Sequence, residues 1–294
     1  LAIGCFYFEI KFMPSLPVYI NLPLTIFWFA GIINAVNLID NLDGLSSGIS
    51  AIALIIISFY LFTIGNYEMV NLAMILVGSC LGFIIFNFPP AKIFMGDSGS
   101  FFLGTTLAIL CLMITHESVN DTLSAFSIPV MIMIIPIFDT TFVSINRYLR
   151  NIPLSTGGLD HSSHLLVKLG FSTRKTLFIL YLISFCFGIV VVITSLYDFR
   201  SWFIFLLFFL VALFSLGIFL SYYKQDMESI NKNVNEKNNK FLKSVYKYKK
   251  QIIEILIDST IIGGAFTIAH ILRFEDEMSI ELWSNHDKLS LIHI

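Results

Sequence analysis

Apolar runs long enough to cross a membrane recur along this chain, separated by short polar stretches. They predict spans over roughly 24–38, 45–64, 69–86, 100–116, 122–143, 175–196, 202–223 and 251–272, with a partial one at 1–10. Helices that are apolar on every face turn toward lipid or toward each other. The predicted fold is therefore all-α, a polytopic transmembrane helical bundle of about eight or nine spans. Residues 1–223 read as one membrane unit with short loops, and 224–250 as a basic linker rich in Lys and Asn. Residues 251–274 read as an additional span, and 275–294 as an uncharacterised tail, whose last six residues, Leu289 to Ile294, are compatible with a non-native origin. The chain opens in apolar residues, without a methionine or a basic signal segment, which predicts a longer parent protein.

Composition excludes an ordinary soluble domain: 56% of residues are hydrophobic, 13% are charged, and the mean hydropathy is +0.83. The charge is segregated by side. With 144–174 placed in the cytoplasm, the loops around Lys92, from Arg147 to Lys175 and from Lys224 to Lys250 share that side. They hold fourteen of the eighteen Lys and Arg residues. The opposite loops, 65–68, 117–121 and 197–201, carry only Arg200, so the positive-inside rule fixes the orientation. The Lys- and Tyr-bearing linker suits contact with anionic lipid of the bilayer, and no nucleic-acid module is present. Cys5, Cys80, Cys111 and Cys186 lie in or beside apolar runs without metal-type spacing and read as small buried residues.

Two polar stretches fall at cytoplasmic helix ends. Asn34, Asn37, Asp40 and Asp43 are spaced by three, which on a helix makes a polar stripe, and Gly44 then allows a break. Capping explains one or two such residues, not four. In the second stretch, from Asn87 to Ser100, the Pro89-Pro90 pair ends one helix and makes a rigid turn toward Phe94. Asp97 then opens the next apolar run, as an N-cap, as a Mg²⁺ ligand, or beside backbone N–H groups that suit a phosphate. Phe94 either packs or stacks on a nucleobase. Ionisable groups at membrane-edge depth are costly to keep, so both stretches read as functional, with chemistry suited to a metal ion and phosphates.

A third stretch, Gly157 to His164, places His161 and His164 after Asp160, backed by Arg147 and Arg150, and reads as an anion-binding cluster. No cysteine or third histidine is near, which argues against zinc. Asp139, inside an apolar run, is expected to pair with Arg147 or to line the site.

On these residues the chain resembles the polyprenyl-phosphate N-acetylhexosamine-1-phosphate transferases. Asn34, Asn37, Asp40, Asp43, Gly44 and Leu45 match that family's first motif, with Asn41 standing where glycine is usual. Asn87, Pro90, Ala91, Phe94, Met95, Gly96, Asp97, Gly99 and Ser100 match its second. Asp160, His161, Ser163 and His164 resemble the histidine segment of one branch, with Leu165 where arginine often follows. The resemblance covers about residues 1–220. Beyond it, Leu272 to Glu275 resembles the membrane segment preceding nucleotide-sugar epimerase/dehydratase domains.

The resemblance implies that polyprenyl (undecaprenyl) phosphate attacks the β-phosphate of UDP-N-acetylhexosamine, giving a polyprenyl-diphospho-sugar and UMP, as the first step of a cell-envelope polysaccharide. It implies Asp97, Asp40 and Asp43 as the catalytic acids. Asp97 would be the ligand of Mg²⁺ (or Mn²⁺), and Asp40 and Asp43 would shape the nucleotide pocket. Asn34, Asn37 and Asn87 would bind substrate, Phe94 would stack on uracil, and Arg147, His161 and His164 would bind sugar or phosphate oxygens. The implied setting is the bacterial inner membrane, multi-pass, with the site facing the cytoplasm; a homodimer is compatible with it. The family carries an Asp-Asp pair in an earlier loop, and no such pair occurs here, so residues 1–294 alone are expected to be inactive. The competing classes are an ion-coupled transporter and a non-catalytic membrane module. Against the transporter stand the position of the acids at helix ends and the lack of an internal repeat.

Overall fold

The computed structural model describes residues 1–8, 10–12, 16–118, 122–149, 151–155 and 157–197. The expected spans 202–223 and 251–272, the linker 224–250 and the tail 275–294 lie outside the described residues, as does Arg150. The described chain is helical, with no strand. Its elements are α1 (Ala2–Tyr7), α2 (Val18–Leu38), α3 (Leu45–Thr63), α4 (Tyr67–Asn87), α5 (Gly96–Ser118), α6 (Thr122–Ile132), α7 (Ile134–Leu149), α8 (Ser162–Lys168) and α9 (Thr173–Tyr197). Five of them, α2, α3, α4, α5 and α9, are long and apolar enough to cross a membrane, so the chain is a multi-pass membrane protein.

The expected single span 122–143 is two helices. Pro136 has no N–H to give the carbonyl of Ile132, and its ring crowds that carbonyl, so the helix breaks at Met133. Backbone bonds from Met133 N to Pro129 O and from Ile137 N to Met133 O, both 3.0 Å, carry the chain through the break.

α3 is the central helix, packed against α4, α9 and α5, while α2 packs on α5 and α7. Leu54, Ile57 and Leu61 of α3 are completely buried. α4 instead exposes Leu72, Ile75, Leu81 and Ile85, an apolar outer face of the kind lipid covers. Where apolar burial between helices gives little driving force, close backbone approach matters more. Gly104 provides it between α5 and α2, where an added Cβ would lie 2.9 Å from the Ile33 Cα. Trp28 closes the same seam by donating its indole N–H to the Ala108 carbonyl at 3.1 Å. This packing brings the C-terminal ends of α2 and α4 and the N-terminal ends of α3, α5 and α9 to one end of the bundle.

Candidate active site

The predicted polar stripe is half helix and half turn. α2 stops at Leu38, so Asn34 and Asn37 lie on its last turns, whereas Asp40 and Asp43 sit in the turn before α3. Gly44 ends that turn with φ +78°, the left-handed region where a side chain costs about 1–2 kcal/mol. Its N–H donates to Asn87 Oδ1 at 2.8 Å, and its carbonyl accepts from the Tyr181 hydroxyl of α9. The turn is thereby fixed to two other helices.

The second motif grips the first. Asp43 Oδ2 accepts from the Ala91 N–H at 3.0 Å. Asn37 Nδ2 donates to Asp97 Oδ1 at 3.1 Å and to Ser100 Oγ at 2.8 Å, joining α2 to the first turn of α5. Arg174, at the start of α9, holds the Pro89 carbonyl through Nε and Nη2 at 3.2 and 3.1 Å. Asp40 is half-buried, and burial together with the nearby Asp97 and Asp43 charges pushes its carboxyl up to about 6. Three carboxylates thus share one small region, with Asp97 exposed and Asp40 and Asp43 half-buried.

Asn87 plays a different part from the one its motif suggested. It is 3% exposed, its oxygen accepts from Gly44, and its Nδ2 donates to the Ile93 carbonyl at 2.8 Å. With both ends of the amide engaged by backbone, it shapes the two loops. Asn34 is exposed one turn before Asn37, and Phe94 is 78% exposed, the accessibility a stacking platform needs.

The histidine segment is built on α7. Asp139, 2% exposed, accepts at Oδ1 from the Ser162 N–H and from the Ser162 hydroxyl, both at 2.6 Å. Its Oδ2 lies 2.7 Å from His161 Nδ1. A carboxylate accepts only, so it selects the His161 tautomer with the proton on Nδ1 and caps α8 in the same stroke. The expected Asp139–Arg147 pair is not formed. Arg147 instead makes a forked pair with Asp160, Nε to Oδ2 and Nη2 to Oδ1, both 2.8 Å, and gives Nη1 to the Leu154 carbonyl at 2.7 Å. Asp160 holds the guanidinium charged by this bond, pushing its pKa up. Arg147 therefore ties the end of α7 to Leu154 and Asp160. Gly158 leaves room for the pair, since a Cβ there would meet Asp160 Oδ1 at 2.6 Å. His164 is half-buried, and burial above all, with the Lys168 charge nearby, lowers its pKa, favouring the neutral ring.

The structure thus assembles Asn37, Asp40, Asp43 and Asp97 directly. It links the histidines to them through Ser163 Oγ, which donates to Asn41 Oδ1 at 2.6 Å. Sequence reading assigned no part to Asn41, Ser163, Tyr181 or Arg174. The glycine-to-asparagine departure at 41 and the motif match at Ser163 were the available signals; a tyrosine in an apolar run and an arginine before one gave none. The donors gathered here are hard oxygens suited to cation–phosphate chemistry.

Residues 3–115 match the profile of glycosyl transferase family 4. The chain is 46% identical over 167 residues to the probable undecaprenyl-phosphate N-acetylglucosaminyl 1-phosphate transferase of Bacillus subtilis, covering 57% of this chain and 46% of that protein. It is 33% identical over 176 residues to the decaprenyl-phosphate N-acetylglucosaminephosphotransferase of Mycobacterium leprae, covering 54% and 44%. It is also 46% identical over 90 residues to the phospho-N-acetylmuramoyl-pentapeptide-transferase of Moorella thermoacetica, covering 31% and 28%. The chain thus spans less than half the length of these curated relatives. The profile match over residues 3–115 takes in both acidic motifs, Asn34 to Leu45 and Asn87 to Ser100.

Proposed function

We propose that this chain is the core of an enzyme that transfers N-acetylhexosamine 1-phosphate from a UDP-sugar to polyprenyl (undecaprenyl) phosphate, releasing UMP, to begin a cell-envelope polysaccharide. The observation that carries the reading is the Asn37 bridge to Asp97 and Ser100, which joins the two acidic motifs into one half-open acidic region. A lipid phosphate oxygen would attack the β-phosphorus, the bond from that phosphorus to the oxygen of UMP would break, and UMP would leave with the electron pair. Such transfers ask mainly for positioning and charge neutralisation.

The residues fit Mg²⁺. Among the described residues no three acidic, His or Cys side chains form a closed metal cage. Mg²⁺ typically takes one or two carboxylates and completes its shell with water and substrate phosphates. Asp97, exposed and oriented by Asn37, would hold the ion, which would supply charge neutralisation on the diphosphate. The raised pKa of Asp40 marks a place where added positive charge is favourable. Asp40 would face the nucleotide, while Asp43 keeps the Pro-Pro loop in place. Phe94 would stack on uracil. His161, with its Nδ1 proton held by Asp139, would offer Nε2 as an acceptor to a sugar hydroxyl, with His164 beside it at a ring-centroid distance of 6.4 Å. The site would face the cytoplasm from the inner membrane, where a soluble donor and a lipid acceptor can meet.

The test is UMP release from UDP-N-acetylglucosamine and undecaprenyl phosphate by the full-length protein in lipid nanodiscs. Wild type should release UMP in a Mg²⁺-dependent way, and Asp97→Asn should lose about 100-fold or more, in the range for a removed charge-stabilising group. Absence of UMP release in the wild type would overturn the reading.

A further inference from the structure

Asn41 is the position at which this chain departs from its motif, and its side chain holds two parts of the structure at once. Nδ2 donates to the Leu38 carbonyl at 2.7 Å, closing the last turn of α2. Oδ1 accepts from the Ser163 hydroxyl at 2.6 Å, across 122 positions of sequence. Ser163 is completely buried, so its hydroxyl has no water to fall back on and the bond is worth making. Glycine at 41 could form neither bond. On the far side of the same segment, Asp139 of α7 holds His161 and Ser162. The short stretch carrying both histidines is therefore clamped between two walls. One is α7, and the other is the turn that carries Asp40 and Asp43.

From this geometry we infer that Asn41 and Ser163 form a latch that sets the distance between the histidine segment and the acidic turn, and that this distance serves transfer from the nucleotide sugar. The inference rests on the transferase reading above. Asn41 and Ser163 are positioning residues and touch no substrate. Losing the latch lets the histidines drift from the sugar-phosphate part of the donor, while the UMP part still meets Phe94 and the acidic turn. Small displacements of this kind cost rate steeply. Because the two side chains act through one bond, their losses should not add.

The experiment compares wild type, Asn41→Gly, Ser163→Ala and the double variant in the full-length protein in nanodiscs. It reads kcat and KM for UDP-N-acetylglucosamine, inhibition by UMP, and hydrogen exchange of residues 161–169. Each single variant should lower kcat about tenfold, the lower end for an outer-shell partner. The inhibition constant for UMP should stay within about twofold, exchange of 161–169 should quicken, and the double variant should be no slower than the worse single. A merely structural role would instead move UMP inhibition along with kcat. An active wild type whose variants keep their kcat, or whose losses multiply in the double variant, overturns the latch and leaves the transferase reading standing. A wild type that releases no UMP overturns the transferase reading and, with it, the catalytic purpose of the latch. Exchange of 161–169 then still reports whether the contact exists.

Discussion

Replacing Asp139 separates what its carboxylate does for the fold from what it does for His161. The group is 2% exposed and accepts two bonds from Ser162 at 2.6 Å and one from His161 Nδ1 at 2.7 Å. Asp139→Ala strands three donors in the interior, and at about 1–3 kcal/mol for each unmet buried donor the loss should come to about 3–5 kcal/mol. Thermal unfolding should then fall on the order of 10 °C, at about 2–4 °C per kcal/mol for a chain of this size. Asp139→Asn is the informative change. Its amide oxygen can still take both Ser162 donors, so the loss of stability should stay near 1 kcal/mol. The amide NH₂ then faces His161 Nδ1, which must become the acceptor, moving the ring proton to Nε2. The nitrogen offered to substrate changes from acceptor to donor. Transfer should drop about 10–100-fold, with little change in Tm, as for other outer-shell partners of a working histidine. UMP release and thermal unfolding of the same nanodisc preparations decide it. An Asp139→Asn protein as active as wild type would refute the claim that the tautomer matters, and an Asp139→Ala protein of unchanged Tm would refute the burial argument.

Further consequences concern the acidic turn and the segments that brace it. Because the folded pKa of Asp40 is raised to about 6, above the usual carboxylate value, its proton stabilises the ligand-free fold at low pH, and that contribution is lost as pH rises through about 6. Asp40→Asn should therefore raise the Tm of ligand-free protein at about pH 8, an advantage that shrinks below about pH 6, while Mg²⁺-dependent nucleotide binding by wild type weakens below about pH 6; a pH-independent Tm difference would contradict this. Gly48→Ala would drive a methyl group into the Tyr181 ring, loosen its hold on Gly44, and cost about 1–3 kcal/mol; Tyr181→Phe should cost less, about 1 kcal/mol, both read as Tm shifts. Arg147→Lys keeps the charge but loses the forked pair with Asp160, so limited proteolysis of the 147–160 loop should quicken while Mg²⁺-dependent UMP inhibition is unchanged.

The helical fold and both acidic motifs were legible in the sequence because they depend on local signals: length of apolar runs, Gly and Pro at breaks, and acids placed where lipid makes them costly. Spacing by three suggested that Asp40 and Asp43 continue the α2 face. Spacing carries no information about where a helix stops, and α2 ends two residues before Asp40. The break at Met133 was implicit in Pro136, yet hydropathy alone runs straight through it. Arg147 illustrates the harder limit. Two acids, Asp139 and Asp160, lay within reach in sequence, and only the fold brings Asp160 to the guanidinium and leaves Asp139 to His161. Asn87 matched its motif, but which of its amide atoms met backbone depended on Gly44 and Ile93, far and near in the chain. Tyr181 could not have been singled out, since its role follows from a glycine on another helix.

The central claim is that the acidic turn and the Asp97 loop together move a phosphate-linked sugar, and the fate of one atom tests it most directly. Full-length protein in nanodiscs is given undecaprenyl phosphate, Mg²⁺ and UDP-N-acetylglucosamine labelled at the β-phosphorus. Phosphosugar transfer predicts that the label enters the lipid in step with UMP release, and that both vanish in Asp97→Asn. Label left in water-soluble UDP while sugar reaches the lipid, or no transfer of either, would contradict the account.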